Sequence, residues 1–326
     1  MRVAVLFNPG AGNNEKFIEI GKLLTERLVN HEVYTCPGSS GGFYLTDAIK
    51  TGDEIYSDYK NGIKRRVLLL ASCVPELFIC VGGDGLAAYV ADALISGGFS
   101  IPIMGIAGGT ANVGPIVSVK SNNLRLFNPE NIELTNAGAI RVTSCRRHIG
   151  YGFNDVVIGN TFLGTIDGKV ANISVEALLK RNEKSTETPS GNITDNGFRI
   201  IKNNKPVEFK TSNPAQIIVS PLEADRFYGR AITGALCYSA YLQQKAAIAL
   251  SDRILVSIDS GDAGIGSFLE IEHLLFGPGD KVSIEGLAEN GHIIIDGNPY
   301  LRENENVIFE YLPNLVRIAR PSIITV

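Results

Sequence analysis

Residues 77–96, LFICVGGDGLAAYVADALIS, set a five-residue apolar run directly against three glycines and one aspartate, and a helical pattern follows at once. An apolar run this short, closed by glycine, reads as a strand buried on both faces. The same design occurs twice more. VAVLF (3–7) is closed by Asn8-Pro9-Gly10-Ala11-Gly12, and IPIMGI (101–106) leads into Gly108-Gly109-Thr110-Ala111-Asn112. Between them, residues 13–30 place Phe17, Ile20, Leu24 and Leu28 close to helical spacing, HEVYTC returns as a strand, and 61–76 reads as a helix ended near Pro75. Buried strands alternating with helices predict a parallel, doubly wound α/β domain over residues 1–137.

From residue 138 to 326 the texture changes. Short β-branched runs recur: AIRVTS, FNDVVIG, QIIVS, RAITGALCYSA, RILVSID, KVSIEGL, HIIIDG, NVIFEYL and LVRIARP, separated by Gly, Asn and Asp. They predict an antiparallel β-rich domain, sandwich-like or layered. The final run, LVRIARP, can belong to this domain or return to the first. Residues 181–197 have almost no apolar side chains and read as a mobile surface loop. Asp167-Gly168, Asp296-Gly297 and the segment 259–266 read as hairpin connections, since Asp-Gly favours a type I′ turn.

Bulk properties narrow the function. At 326 residues, 44% hydrophobic and 20% charged, the chain suits two globular domains. A net charge of −4 argues against a large basic face for nucleic acid or anionic lipid, while leaving room for a local phosphate pocket. The five cysteines are odd in number and scattered without a CxxC, which argues against disulfide and zinc frameworks. The four histidines, His31, His148, His273 and His292, have no metal-ligand spacing and read as structural or surface residues. With no signal-peptide pattern and no apolar stretch of ~18 residues, the expectation is a cytoplasmic protein without a membrane span.

Ligands of open α/β sheets bind outside the carboxyl ends of the strands, where all three glycine turns fall. Glycine lets backbone amides approach an anion, and a helix N-terminus favours negative charge. Asn8, Gly10, Gly12, Gly82, Gly83, Gly85, Gly108, Gly109 and Thr110 are therefore candidate ligands of a polyphosphate such as ATP. Walker A is absent, and Glu15 stands where the dinucleotide fingerprint GxGxxG needs its last glycine. Asp84 has two readings, a chemical one and a helix N-cap. Capping requires no flanking glycines and would not explain three similar turns.

GGDG behind a buried strand, with NPGAG at the N-terminus, resembles the superfamily of NAD kinases and diacylglycerol or sphingosine-type lipid kinases. The resemblance extends over nearly the whole chain and implies an α/β domain paired with a β-rich one. It implies that the loop meets ATP phosphates and that Asp84 takes the proton from the hydroxyl being phosphorylated. Asn154-Asp155 in FNDVVIG resembles the family pair that binds ribose hydroxyls. ITGALCYS resembles TGSTAYS, which lines the dinucleotide site, and so implicates Thr233, Gly234, Tyr238 and Ser239. Read without the family, the first is a turn pair and the second a plain strand. Leu86 replaces the threonine usual after GGDG, and Ala235, Leu236 and Cys237 replace Ser-Thr-Ala. GIAGGTANVG is closer to the lipid-kinase and acetoin-cluster-type relatives.

What the resemblance implies is a homo-oligomeric, ATP-dependent kinase acting on the 2′-hydroxyl of NAD to give NADP. Mg2+ would be held through the nucleotide, with no metal ligands on the protein. An aspartate at its ordinary pKa, near ~4, is ionised at neutral pH and able to accept the proton. The alternatives are a lipid or small-polyol kinase and a non-catalytic nucleotide sensor. Leu86 and the altered TGSTAYS-like segment support the sensor.

Overall fold

The computed structural model describes residues 1–10, 14–52, 58–108, 112–166, 169–186, 192–223, 227–235, 245–257, 270–300, 302 and 306–322. The chain divides into two compact units, Met1–Ala137 with Asn314–Val326, and Gly138–Pro313.

The first unit is built on β1 (Arg2–Phe7), β2 (Glu32–Thr35), β3 (Ile49–Lys50), β4 (Leu77–Gly82), β5 (Ile103–Ala107) and β6 (Val117–Val119). Every pairing is parallel, in the order β3-β2-β1-β4-β5, with β6 beside β5. β1 pairs Val5 with Ile79, and β4 pairs Ile79 with Met104. Strands this apolar form here because they are covered on both faces. Val3, Val5 and Phe7 pack with Phe17, Ile20 and Leu24 of α1 (Asn14–Arg27). Ala4 and Leu6 point the other way and are equally buried. β1 also contacts α2 (Tyr59–Ser72), which packs on α3 (Asp84–Ser96). α2 starts where the Asp58 side chain accepts the Asn61 amide (3.2 Å), and it buries Ile63, Val67 and Leu70 at helical spacing. The open question about LVRIARP is answered in this unit, where Ile318 pairs in parallel with Ile103. NVIFEYL and LVRIARP form one strand, Val307–Pro321, with Asn314 at a φ of 52° inside it.

The second unit is antiparallel. Glu272–Phe276, Ala246–Ser251, Gln216–Pro221, Val156–Gly159, His292–Ile295 and Asn298–Tyr300 form a six-stranded sheet in that order. Lys205–Val207, Thr194–Lys202, Lys281–Leu287 and the start of Val307–Pro321 form a second antiparallel run. One core joins them: Ile158, Ile217, Ile248 and Phe276 from the first with Ile200, Val282, Ile284 and Phe309 from the second. Strand alternation sends Val157, Ile218 and Ile294 to the opposite face. They meet Phe162, Ile173 and Val175 of the hairpin Thr161–Ile166/Lys169–Ser174 and the helix that follows it.

Three sequence expectations change. RILVSID is not a strand through residue 257, because the Gln216 side chain accepts the amides of Leu255 and Val256 (2.8 and 2.9 Å) in place of a neighbouring strand. RAITGALCYSA does not begin as a strand either, since Phe227–Ile232 is helical. Gly234, at a φ of 67°, terminates it, with Ala235 N–H on Arg230 O and Gly234 N–H on Ala231 O. The loop expected over 181–197 yields to strand from Thr194, with Ile193 and Thr194 buried. Residues 187–191, Asp167-Gly168 and 259–266 lie outside the described residues.

His292 is 2% exposed, and neither ring nitrogen has a hydrogen-bond partner among the described residues. Burial holds its imidazole below the ordinary histidine value; Lys180 and Arg302 act in the same direction, and Glu176 opposes them. A depressed folded pKa gives stability that is present above the unfolded value, ~6.5, and is lost as pH falls through the folded one. The expected result is a urea midpoint that drops from pH 7.5 to 5.5, and drops less in His292→Gln. Equal drops in the two proteins would refute the assignment.

Candidate functional site

In the first unit, the residues that open the three glycine turns abut at the carboxyl ends of β1, β4 and β5. Asn8 N–H donates to Val81 O (2.9 Å), and Gly108 N–H donates to Gly82 O (2.9 Å). The approach is close enough to need glycine. A Cβ on Gly82 would lie 2.9 Å from Leu86 Cδ2 and 3.1 Å from Asn8 Cβ, and one on Gly108 would lie 2.6 Å from Phe17 Cε1. Asn8 Oδ1 accepts from Gly10 N–H (2.9 Å) and from the Tyr59 hydroxyl (2.8 Å). Burial pushes that hydroxyl up to about 12, so Tyr59 is a neutral donor that fixes the first turn.

Asp84 is the first residue of α3, and Gly83 occupies the N-cap without a side-chain bond. The N-cap reading of Asp84 is therefore replaced. Its Oδ2 accepts the amides of Val113 (2.8 Å) and Gly114 (2.9 Å), which ties the second turn to the chain leaving the third. A Cβ on Gly114 would come within 2.9 Å of Asp84 Oδ1, so that glycine keeps room for the carboxylate. At the first helical position the negative charge also gains from the helix dipole, typically ~0.3–1 kcal/mol. Leu86 is 3% exposed and packs on Gly82, so the residue standing in place of threonine serves the core of the turn. Gly83 and Gly85 flank Asp84, half-buried. Gly12, Gly109 and Thr110 lie outside the described residues.

In the second unit, Asn154 and Asp155 sit in the turn before strand Val156–Gly159. Asp296 holds that turn: its Oδ2 accepts from Phe153 N–H (2.8 Å), and its Oδ1 from Asn154 and Asp155 N–H (2.8 and 3.0 Å). Asp296 N–H returns a bond to Asp155 O (3.1 Å). On the other side, Ser220 Oγ donates to Asn154 O (2.6 Å). Burial pushes the Asp296 carboxyl well above the usual range and the neighbouring Asp155 adds to this, against the three amides. Gly229 packs so tightly on Ser220 that a Cβ would lie 2.1 Å from its Oγ, which brings the helix Phe227–Ile232 to the same turn. Thr233 is fully buried, with its hydroxyl on Gly229 O (2.7 Å), and Gly234 ends the helix. Tyr238, Ser239, Leu236 and Cys237 lie outside the described residues.

Sequence reasoning missed Tyr59, Gly114, Ser220 and Asp296. Asp296 alone carried a signal, and IDGNP does form the expected type I′ hairpin, with φ of 46° at Asp296 and 78° at Gly297. What the pattern did not convey is that the carboxylate of a turn residue is itself occupied.

The whole architecture matches solved kinases. Yeast NADH kinase, complexed with NADH, superimposes with a TM-score of 0.55 at 12% identity, over 98% of this chain and 82% of that one. A diacylglycerol kinase from Bacillus anthracis gives 0.52 at 13% identity, over 97% and 96%. The chain shares its fold with this NADH kinase and this diacylglycerol kinase. No family model matches the chain. An uncharacterized protein of Archaeoglobus fulgidus is 30% identical over 184 residues, and this chain spans about half of its length (54%). In this kinase-like fold, the GGDG turn is the one that carries a carboxylate. Among the described residues no helix is long and apolar enough to cross a membrane.

Proposed function

We propose that the chain is an ATP-dependent kinase that phosphorylates a hydroxyl group, with the 2′-hydroxyl of NAD as acceptor and NADP as product. The observation that carries this reading is that the residues opening three glycine turns abut at the strand ends, with a carboxylate in the second turn oriented by two amides. In the reaction, the acceptor oxygen forms a bond to the γ-phosphorus of ATP, the bond from that phosphorus to the β,γ-bridging oxygen breaks, and ADP leaves. The acceptor's proton passes to Asp84. Gly83 and Gly85 stand beside Asp84 where the phosphates are received, while Asn8, Gly10 and Gly108, whose amides are donated within the turns, set their shape with Gly82; Asn154 and Asp155 hold the acceptor ribose.

Among the described residues no three His, Cys, Asp or Glu side chains gather to cage a metal. A Mg2+ carried on nucleotide oxygens with its own waters needs no such cage. When bound, it supplies neutralisation of phosphate charge. The superfamily resemblance also supports a homo-oligomer.

A lipid acceptor is the second reading. It is favoured by the likeness to the diacylglycerol kinase, which runs over 96% of that chain against 82% for the NADH kinase. The test is incubation of pure protein with Mg-ATP and either NAD or diacylglycerol in mixed micelles. NADP formation supports the proposal; label moving into the organic phase transfers it to lipid. Tight ATP binding with turnover of neither acceptor would sink the NAD and lipid readings and leave another acceptor or donor, or a non-catalytic sensor.

A further inference from the structure

We propose that Asp296 is a positioning residue for the acceptor site, clasping three successive amides so that Asn154 and Asp155 are presented in one fixed conformation. This inference rests on the reading that those two residues hold the acceptor.

A carboxylate is buried here where a turn residue is normally solvated. Asp296 is 6% exposed, at the first central position of a type I′ turn. That turn needs only a residue tolerating positive φ, a role asparagine or glycine fills equally well. A buried carboxylate there is costly unless its oxygens are satisfied. Here they are: three consecutive N–H groups, of Phe153, Asn154 and Asp155, all lie within 3.0 Å. Three successive amides aimed at one carboxylate form an anion nest, and such charge-assisted bonds are stronger than neutral ones.

The clasp is closed from both directions. Asp296 N–H binds Asp155 O, and Ser220 Oγ binds Asn154 O, so the main chain of the pair is held by donors and acceptors at once. Gly152 completes it, since a Cβ there would lie 2.5 Å from Val156 Cγ2 and 2.9 Å from Asp155 O. A side chain at 152 has no room beside this turn. The carboxylate of Asp155 is itself only 5% exposed and stands near that of Asp296. A second buried carboxylate close by costs electrostatic energy. Three amides divided over two oxygens require both oxygens as acceptors, which aspartate supplies and asparagine does not.

The experiment uses Asp296→Gly and Asp296→Asn in the full chain. Glycine keeps the turn backbone and removes the carboxylate. Asparagine keeps one acceptor oxygen and sets an NH2 group against one amide. Two quantities are read. The first, without any ligand, is amide hydrogen exchange of the segment 150–157. It is expected to speed up at least about tenfold in the glycine variant and less in the asparagine variant, with exchange elsewhere unchanged. The second is the KM for NAD, expected to rise by about tenfold or more while the KM for ATP and kcat hold, with partial recovery in Asp296→Asn.

Unchanged exchange in the glycine variant overturns the clasp. Faster exchange with an unchanged KM for NAD overturns the positioning role and leaves Asp296 a brace of the turn. Should the glycine variant not fold, the same two readings on Asp296→Asn decide the matter. If wild-type protein makes no NADP, that result counts against the kinase reading, and exchange alone then supports or overturns the clasp.

Discussion

Asp84→Asn is expected to lower phosphoryl transfer by about 10²–10⁴, the usual contribution of a positioned general base, while leaving the fold intact. Asparagine keeps an oxygen that can accept from Val113 and Gly114 N–H, so the link between the second and third turns survives. What is lost is the basicity of the carboxylate. The observed role of Asp84, tying two turns together, is thereby separated from its proposed role as general base. If Asp84 only ties the turns together, Asp84→Asn retains activity and Asp84→Ala loses both activity and stability. Steady-state turnover beside a thermal melt for each variant distinguishes the cases. A wild-type rate in Asp84→Asn would remove the general base from the mechanism.

Phe7→Ala is expected to produce the largest loss of stability, about 3–5 kcal/mol, in line with aromatic truncation in a packed core. Phe7 is fully buried at the end of β1, with ring centroids 5.4 Å from Phe17 and 4.6 Å from Tyr44. Phe17 and Tyr44 also contact each other at 5.5 Å, so truncation opens the middle of a three-ring cluster. Whole domains are stable by only ~5–15 kcal/mol, so a large share would disappear. Denaturant midpoints at constant slope measure it. Because Phe7 directly precedes Asn8, phosphate binding should weaken with it. A loss below about 1 kcal/mol would show that neighbouring rings close the gap and that the cluster is not critical.

The fold was legible wherever a residue's fate depends on its immediate neighbours. Val3–Phe7, Leu77–Val81 and Ile103–Ile106 are continuous apolar runs, and such runs must be buried on both faces. Phe17, Ile20 and Leu24 recur at helical spacing and do face the sheet. Asp84 and its glycines were visible because they break that pattern. The errors arose where a local preference was overruled from afar. Leu255 and Val256 read as strand, but the Gln216 side chain takes their amides. The ITG run is β-branched, yet Gly234 closes a helix and Thr233 turns its hydroxyl back to Gly229.

The site divides in the same way. The sequence by itself determined that three strand ends carry glycine turns and that one of these turns holds a carboxylate, because glycine content and strand ends are local properties. Only the tertiary structure decided that Gly83 caps the helix, that Leu86 packs inward on Gly82, and that Tyr59 fixes Asn8. It alone decided what the Asp84 and Asp296 carboxylates bind. Their amide partners lie 29 and 30 residues away for Asp84 and 141 to 143 for Asp296. A hydrogen bond acts over about 3 Å of space, whatever the separation along the chain, so no local pattern can record it.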